Sequence, residues 1–107
     1  MVLDINNFAE FIQAIGDETT GLVIIDFYAD WCGPCKRISP KFAMYADKYP
    51  QIELYKLNVD GENVSEVVGV CNVSSLPTFC FFKNGKYQTN LVGANEDILN
   101  KLIITNL

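Results

Sequence analysis

The chain contains no histidine and so lacks the side chain that most often acts as a general base near neutral pH and as a zinc ligand. Only its four cysteines could complete a thiolate-rich zinc site. Because Cys71 and Cys80 are separated around Pro77, no metal is expected. Basic residues are few, with eight Lys and Arg against thirteen Asp and Glu and a net charge of −5. Without a basic run there is no electrostatic footprint for nucleic acid or an anionic membrane, and proteins are the expected partners. No apolar stretch approaches the roughly 20 residues that span a bilayer. The start, Met1-Val2-Leu3-Asp4-Ile5-Asn6, has no basic segment leading into an apolar one, so no secretory signal is expected. The Gly-rich fingerprint of nucleotide binding is missing, as is any flavin motif, so electrons for redox chemistry would have to come from a partner. Internal repeats, linkers and low-complexity segments are absent too. Residues 1–107, half of them hydrophobic, read as one domain large enough to bury a core.

What is present centres on Trp31-Cys32-Gly33-Pro34-Cys35. This Cys-x-x-Cys follows the apolar run Leu22 to Tyr28 and precedes a helix-competent stretch. A strand ending near Tyr28 delivers Cys32 to the start of the next helix, where unpaired N–H groups and the helix dipole favour a thiolate. Cysteines in a chain without a secretory signal point to a reducing compartment, with the cytoplasm as the expected location. There a Cys-x-x-Cys is more often catalytic or metal-binding than structural.

Around the motif, periodicity predicts an α/β chain. The first seven residues form a short edge strand, and a helix over 8–15 is capped by Asn6 or Asn7 and ended by Gly16. Residues 22–28 are apolar at nearly every position, as in a strand buried on both faces, so Asp26 stands where a charge is costly. A helix over 34–48 carries Pro34 in its first turn and Pro40 in its interior, where a kink is expected. A strand over 52–59 lies parallel to 22–28 through a right-handed crossover. A short helix over 62–68 follows, then strands 78–83 and 86–92 paired about Asn84-Gly85, and a last helix over 96–104.

The strand–helix junction with W-C-G-P-C, Asp26, Lys56, the Leu76-Pro77-Thr78 step, the Lys83-Asn84-Gly85 turn and Val92-Gly93-Ala94 stand in an order and spacing that resembles the thioredoxin family along essentially the whole chain. The resemblance implies the thioredoxin fold, a mixed five-stranded sheet in the order 1-3-2-4-5 flanked by four helices, with Pro77 as a cis-proline facing the dithiol. It also implies a protein-disulfide reductase that maintains cell redox balance and is re-reduced by an NADPH-dependent thioredoxin reductase. Tyr28, in place of a second tryptophan, and the extra cysteines Cys71 and Cys80 depart from the pattern outside its catalytic core.

On this reading no cofactor is bound beyond a redox-active Cys32–Cys35 disulfide. Cys32 is the nucleophile and Cys35 the resolving thiol. Asp26, its pKa raised by desolvation, takes the proton of Cys35 directly or through water. Lys56 either approaches Asp26 as an ion-pair partner or lays its stem along the sheet with its ammonium at the surface. Trp31, Gly33, Pro34, Leu76, Pro77, Val92 and Gly93 form the surface that receives a disulfide-containing protein, with the backbone of Leu76 free to bond an extended segment. Proline at 34, where disulfide-isomerase relatives carry histidine, argues for a reducing dithiol. Cys80 reads as a buried, inert thiol. Cys71 is a candidate regulatory thiol open to glutathionylation or to a disulfide-linked dimer of an otherwise monomeric protein, its alternative being an ordinary free cysteine. The rival readings are an oxidase or isomerase, a glutaredoxin, whose Cys-Pro-Tyr-Cys is not here, and a binding module that holds a partner without turnover.

Overall fold

The computed structural model describes residues 1–107. In chain order the elements are β1 (Val2–Asp4), α1 (Phe8–Ile15), β2 (Leu22–Tyr28), α2 (Gly33–Lys48), β3 (Glu53–Asn58), α3 (Ser65–Val70), β4 (Thr78–Lys83), β5 (Lys86–Val92) and α4 (Glu96–Asn106). The five strands form one sheet in the order β1-β3-β2-β4-β5, as the resemblance implies. β3 runs parallel to both β1 and β2, whereas β4 is antiparallel to β2 and to β5.

Burial on both faces of β2 follows from its alternation. Val23, Ile25 and Phe27 enter one core layer with Phe11, Val64 and Val67 of the α1 and α3 side. Leu22 and Ile24 enter the other with Ile38, Phe42, Leu99 and Ile103 of α2 and α4. Asp26 shares the second face, because side chains two apart on a strand point the same way.

Local chemistry sets most element ends. Asn7 caps α1, its side chain accepting from Glu10 N at 2.8 Å, and Asn95 caps α4 in the same way from Ile98 N at 3.0 Å. Asn84 and Gly85 both take positive φ, 54° and 79°, the backbone of a two-residue hairpin turn. α2 runs unbroken through Pro40.

The short helix predicted over 62–68 instead spans Ser65–Val70. Asn58 draws the preceding segment into a turn, its carbonyl accepting from Gly61 N at 3.0 Å and its side chain from Asp60 N at 3.0 Å. The helix then runs past Val68 and closes where Asn72 takes φ 55°. There Val73 N donates to Val68 O and Asn72 N to Gly69 O, both at 3.1 Å, a Schellman closure. No helix in the chain is long and apolar enough to cross a membrane.

Candidate active site

Cys32 occupies the N-cap of α2 and Cys35 its first turn. The two are joined in a disulfide with their Cα atoms 5.3 Å apart. The Cys32 sulfur accepts from Cys35 N–H at 3.2 Å, and Pro34 sits where a helix has no use for its missing N–H. Both cysteines are buried, 5% and 3% exposed, and they pack with Ala29 against Tyr28, Val59 and Leu76.

The two halves of this disulfide line different concavities. Cys32 lies in an open groove with Trp31, Gly33 and Pro34 on one side and Val73 to Leu76 on the other. Trp31 is 71% exposed, and its indole N–H is tied to the Asp60 carboxylate at 2.8 Å. Cys35 lines a separate cavity of about 260 Å³ together with Asp26, Tyr28, Asp30, Ser39 and Lys56.

Asp26 is 4% exposed, and its Oδ1 hydrogen-bonds to no group of the protein. Burial raises its pKa from 3.8 to about 7, against a smaller opposing pull from the Lys56 charge. Although Lys56 is the register partner of Asp26, its ammonium lies 4.0 Å from Oδ1 of Asp4 and 5.9 Å from the centre of the Tyr28 ring. Lys56 thus lies within ion-pair distance of Asp4 with its side chain 43% exposed, and it still lines the Asp26 cavity.

The Leu76–Pro77 bond is cis. Its loop is anchored by Thr78 Oγ1, which donates to Ser75 O at 2.7 Å, and by Gly93 N, which donates to Pro77 O at 2.8 Å. Neither the N–H nor the C=O of Leu76 takes part in the backbone hydrogen bonding of the chain. Val92 and Gly93 stand beyond Pro77 at the end of β5, with Val92 57% exposed. Apart from its neighbours Val92 and Ala94, nothing in the chain lies within 4 Å of where a Cβ on Gly93 would sit, and its φ is 106°.

Cys71 does not line the Cys32 groove, although Val68, Val73 and Leu76, which do, pack against its core cluster. It is buried, 7% exposed, in the core layer of α1 and α3 together with Cys80. A hydrogen bond from Cys80 lowers the Cys71 pKa, and the same contact, with burial, raises that of Cys80. Asp60 is a site residue that sequence reasoning missed, since Asp60-Gly61 signals only a turn. Asp4 lines neither cavity of the disulfide but meets Lys56, a contact visible only through the β1–β3 register. No group of three or more His, Cys, Asp or Glu side chains is arranged to hold a metal ion.

A disulfide at a helix N-terminus, beside a cis-proline loop on this sheet, defines a thiol–disulfide oxidoreductase with a redox-active cysteine pair. The thioredoxin family model matches residues 1–105. The chain is 50% identical to a thioredoxin-like protein of Acanthamoeba polyphaga mimivirus over 96% of its own length and 75% of that protein. It is 42% identical to thioredoxin-1 of Saccharomyces cerevisiae over 99% of each. Among solved structures, the thioredoxin of Fasciola hepatica superposes with a TM-score of 0.92 at 34% identity, covering 99% of this chain and 100% of that one. That of Plasmodium falciparum gives 0.89 at 40% identity with the same coverage. The chain belongs to the thioredoxin family.

Proposed function

We propose that the chain is a protein-disulfide reductase in which the two cysteines have separate tasks. The observation that carries this reading is that the two halves of the disulfide line different concavities, Cys32 a groove shared with Leu76 and Cys35 a smaller cavity shared with Asp26. In the reduced protein the Cys32 thiolate, favoured by the N–H groups of the first turn of α2, attacks one sulfur of a target disulfide. A Cys32–target disulfide forms and the other target sulfur leaves as a thiolate. Cys35 then gives its proton to Asp26, and its thiolate attacks the Cys32 sulfur. The second target sulfur is expelled and the Cys32–Cys35 disulfide returns. Two electrons have passed to the target, whose two thiolates take up protons.

The groove suits an extended protein segment: Leu76 offers a free N–H and C=O as a strand edge, and Trp31, Gly33 and Pro34 give an apolar border. Pro77, Val92 and Gly93 continue that surface beyond Leu76. The protein acts as a monomer in the cytoplasm, where a disulfide such as Cys32–Cys35 is usually transient and catalytic. An NADPH-dependent thioredoxin reductase returns two electrons to the disulfide, and this turnover maintains cell redox balance.

The test couples the chain to NADPH, a thioredoxin reductase and a disulfide-bonded protein such as insulin. NADPH is consumed with the target present, Cys35→Ser accumulates a covalent target adduct, and Cys32→Ser forms none. An adduct retained by Cys32→Ser overturns the division of tasks by moving the nucleophile to another cysteine, and no NADPH consumption by the unaltered protein overturns the reading in favour of a non-catalytic binding module.

A further inference from the structure

Lys56 occupies the centre of a row that crosses three strands. Asp4 of β1, Lys56 of β3 and Asp26 of β2 are direct partners in the parallel register, so their side chains leave the sheet on one face. The lysine stands between two carboxyl groups and reaches only one of them, lying 4.0 Å from Asp4. Hydration explains the choice. The Asp4 side chain is 59% exposed, so the ammonium keeps most of its water there. Pairing with Asp26, which is 4% exposed, would require it to shed that water. The Tyr28 ring, 5.9 Å from the ammonium, adds a weak hold on the same side.

We propose that Asp4 is a positioning residue for the redox site: it holds the Lys56 ammonium toward β1 and leaves Asp26 without an ion-pair partner beside Cys35. The functional consequence rests on the reading of Asp26 as the proton acceptor of Cys35. A carboxyl that takes a proton from a thiol must be basic enough to accept it, and a fully paired Asp26 would be a weaker base. The other charged or titratable groups at this cavity are Tyr28 on β2, Asp30 after it, and Cys35 and Lys36 on α2. β4 presents Phe79 opposite Asp26, and α4 meets this sheet face with Leu99 and Ile103, so neither adds a charge.

Replacing Asp4 by asparagine removes the competing carboxylate and frees Lys56 to lean toward Asp26. The Asp26 titration midpoint in Asp4→Asn then falls by about one pH unit. Carboxyl carbon NMR of the oxidised protein reads it directly in the unaltered protein, Asp4→Asn, Lys56→Met and the double variant. The expected result is a drop in Asp4→Asn that disappears on the Lys56→Met background. An unchanged midpoint in Asp4→Asn overturns the proposal. So does an equal drop with and without Lys56, which would mean that Asp4 acts through its own field. The pH profile of mixed-disulfide resolution in the same variants tests the Asp26 assignment separately: a profile that stays put while the carboxyl midpoint moves removes Asp26 from the proton path and leaves the hold of Asp4 on Lys56 standing.

Discussion

Asp26 and Cys35 line one cavity, the carboxyl arriving from the middle strand of the sheet and the sulfur from the first turn of α2. No element of the fold needs a carboxyl there. Its neighbours on the same face of β2 and β4 are Ile24, Phe79 and Phe81, and a fully apolar strand would pack at less cost. The price in stability has a pH signature.

Burial raises Asp26 from 3.8 to about 7. Between those values the folded protein keeps a proton that the unfolded chain has released, so stability falls as pH rises through the window. The contribution is complete below the unfolded value and gone above about 7. A difference of this size corresponds to at most about 4 kcal/mol. Urea unfolding of oxidised Asp26→Asn is therefore expected to show a gain of a few kcal/mol at pH 8.5 and little gain at pH 4. An equal gain at both pH values would assign the effect to packing instead of ionisation.

Trp31 lines the Cys32 groove and is exposed, yet its indole N–H is held by the Asp60 carboxylate. Exposed hydrogen bonds contribute little to folding, so Asp60→Ala is expected to cost less than about 1 kcal/mol in urea unfolding. Its effect falls on the orientation of the ring. Fluorescence anisotropy decay is expected to show a looser indole, and kcat/KM for a protein disulfide is expected to drop severalfold. An unchanged kcat/KM would place the indole outside the docking surface.

Gly93 separates two effects that usually come together. Its φ of 106° disfavours any side chain, while no atom beyond Val92 and Ala94 lies within 4 Å of the space a Cβ would enter. Gly93→Ala is therefore expected to lose about 1 to 3 kcal/mol from backbone strain alone. If a substrate backbone passes over this position, KM for a protein disulfide rises as well, and KM for a small disulfide such as oxidised dithiothreitol does not. Equal changes for both substrates would count against docking at Gly93.

Much of this arrangement is legible in the residues because it is local. The Asn84-Gly85 turn, the double-sided burial of β2 and the helix start at Cys32-Gly33-Pro34 each follow from a few adjacent side chains. The limits of α3 are set by bonds just as short in sequence, but no strong capping residue marks them. Asn58 holds the preceding turn from the end of β3, and the helix opens at Val64 with no side-chain cap. The partner of Lys56 is open in the sequence for a different reason: Asp4 meets it only when β1 docks beside β3, and solvent access then decides between two carboxyl groups. Asp60 likewise reaches Trp31 only through the folded approach of the turn after β3 to the start of α2.

Cys71 shows how burial governs reactivity in a cysteine outside the motif. The thiolate is the reactive form of cysteine, and it reacts only where a partner can reach it. The Cys80 contact favours ionisation of Cys71, but the side chain is 7% exposed and packed between α3 and the sheet. Linking two copies through Cys71 thus requires the end of α3 to open, at the Schellman closure around Asn72. Peroxide-treated protein is expected to remain monomeric on non-reducing electrophoresis in native buffer. A dimer band is expected with urea just below the unfolding transition and is absent from Cys71→Ser under the same conditions. A Cys71-dependent dimer in native buffer would mean that α3 opens at little cost and that Cys71 is an available regulatory thiol in the folded protein.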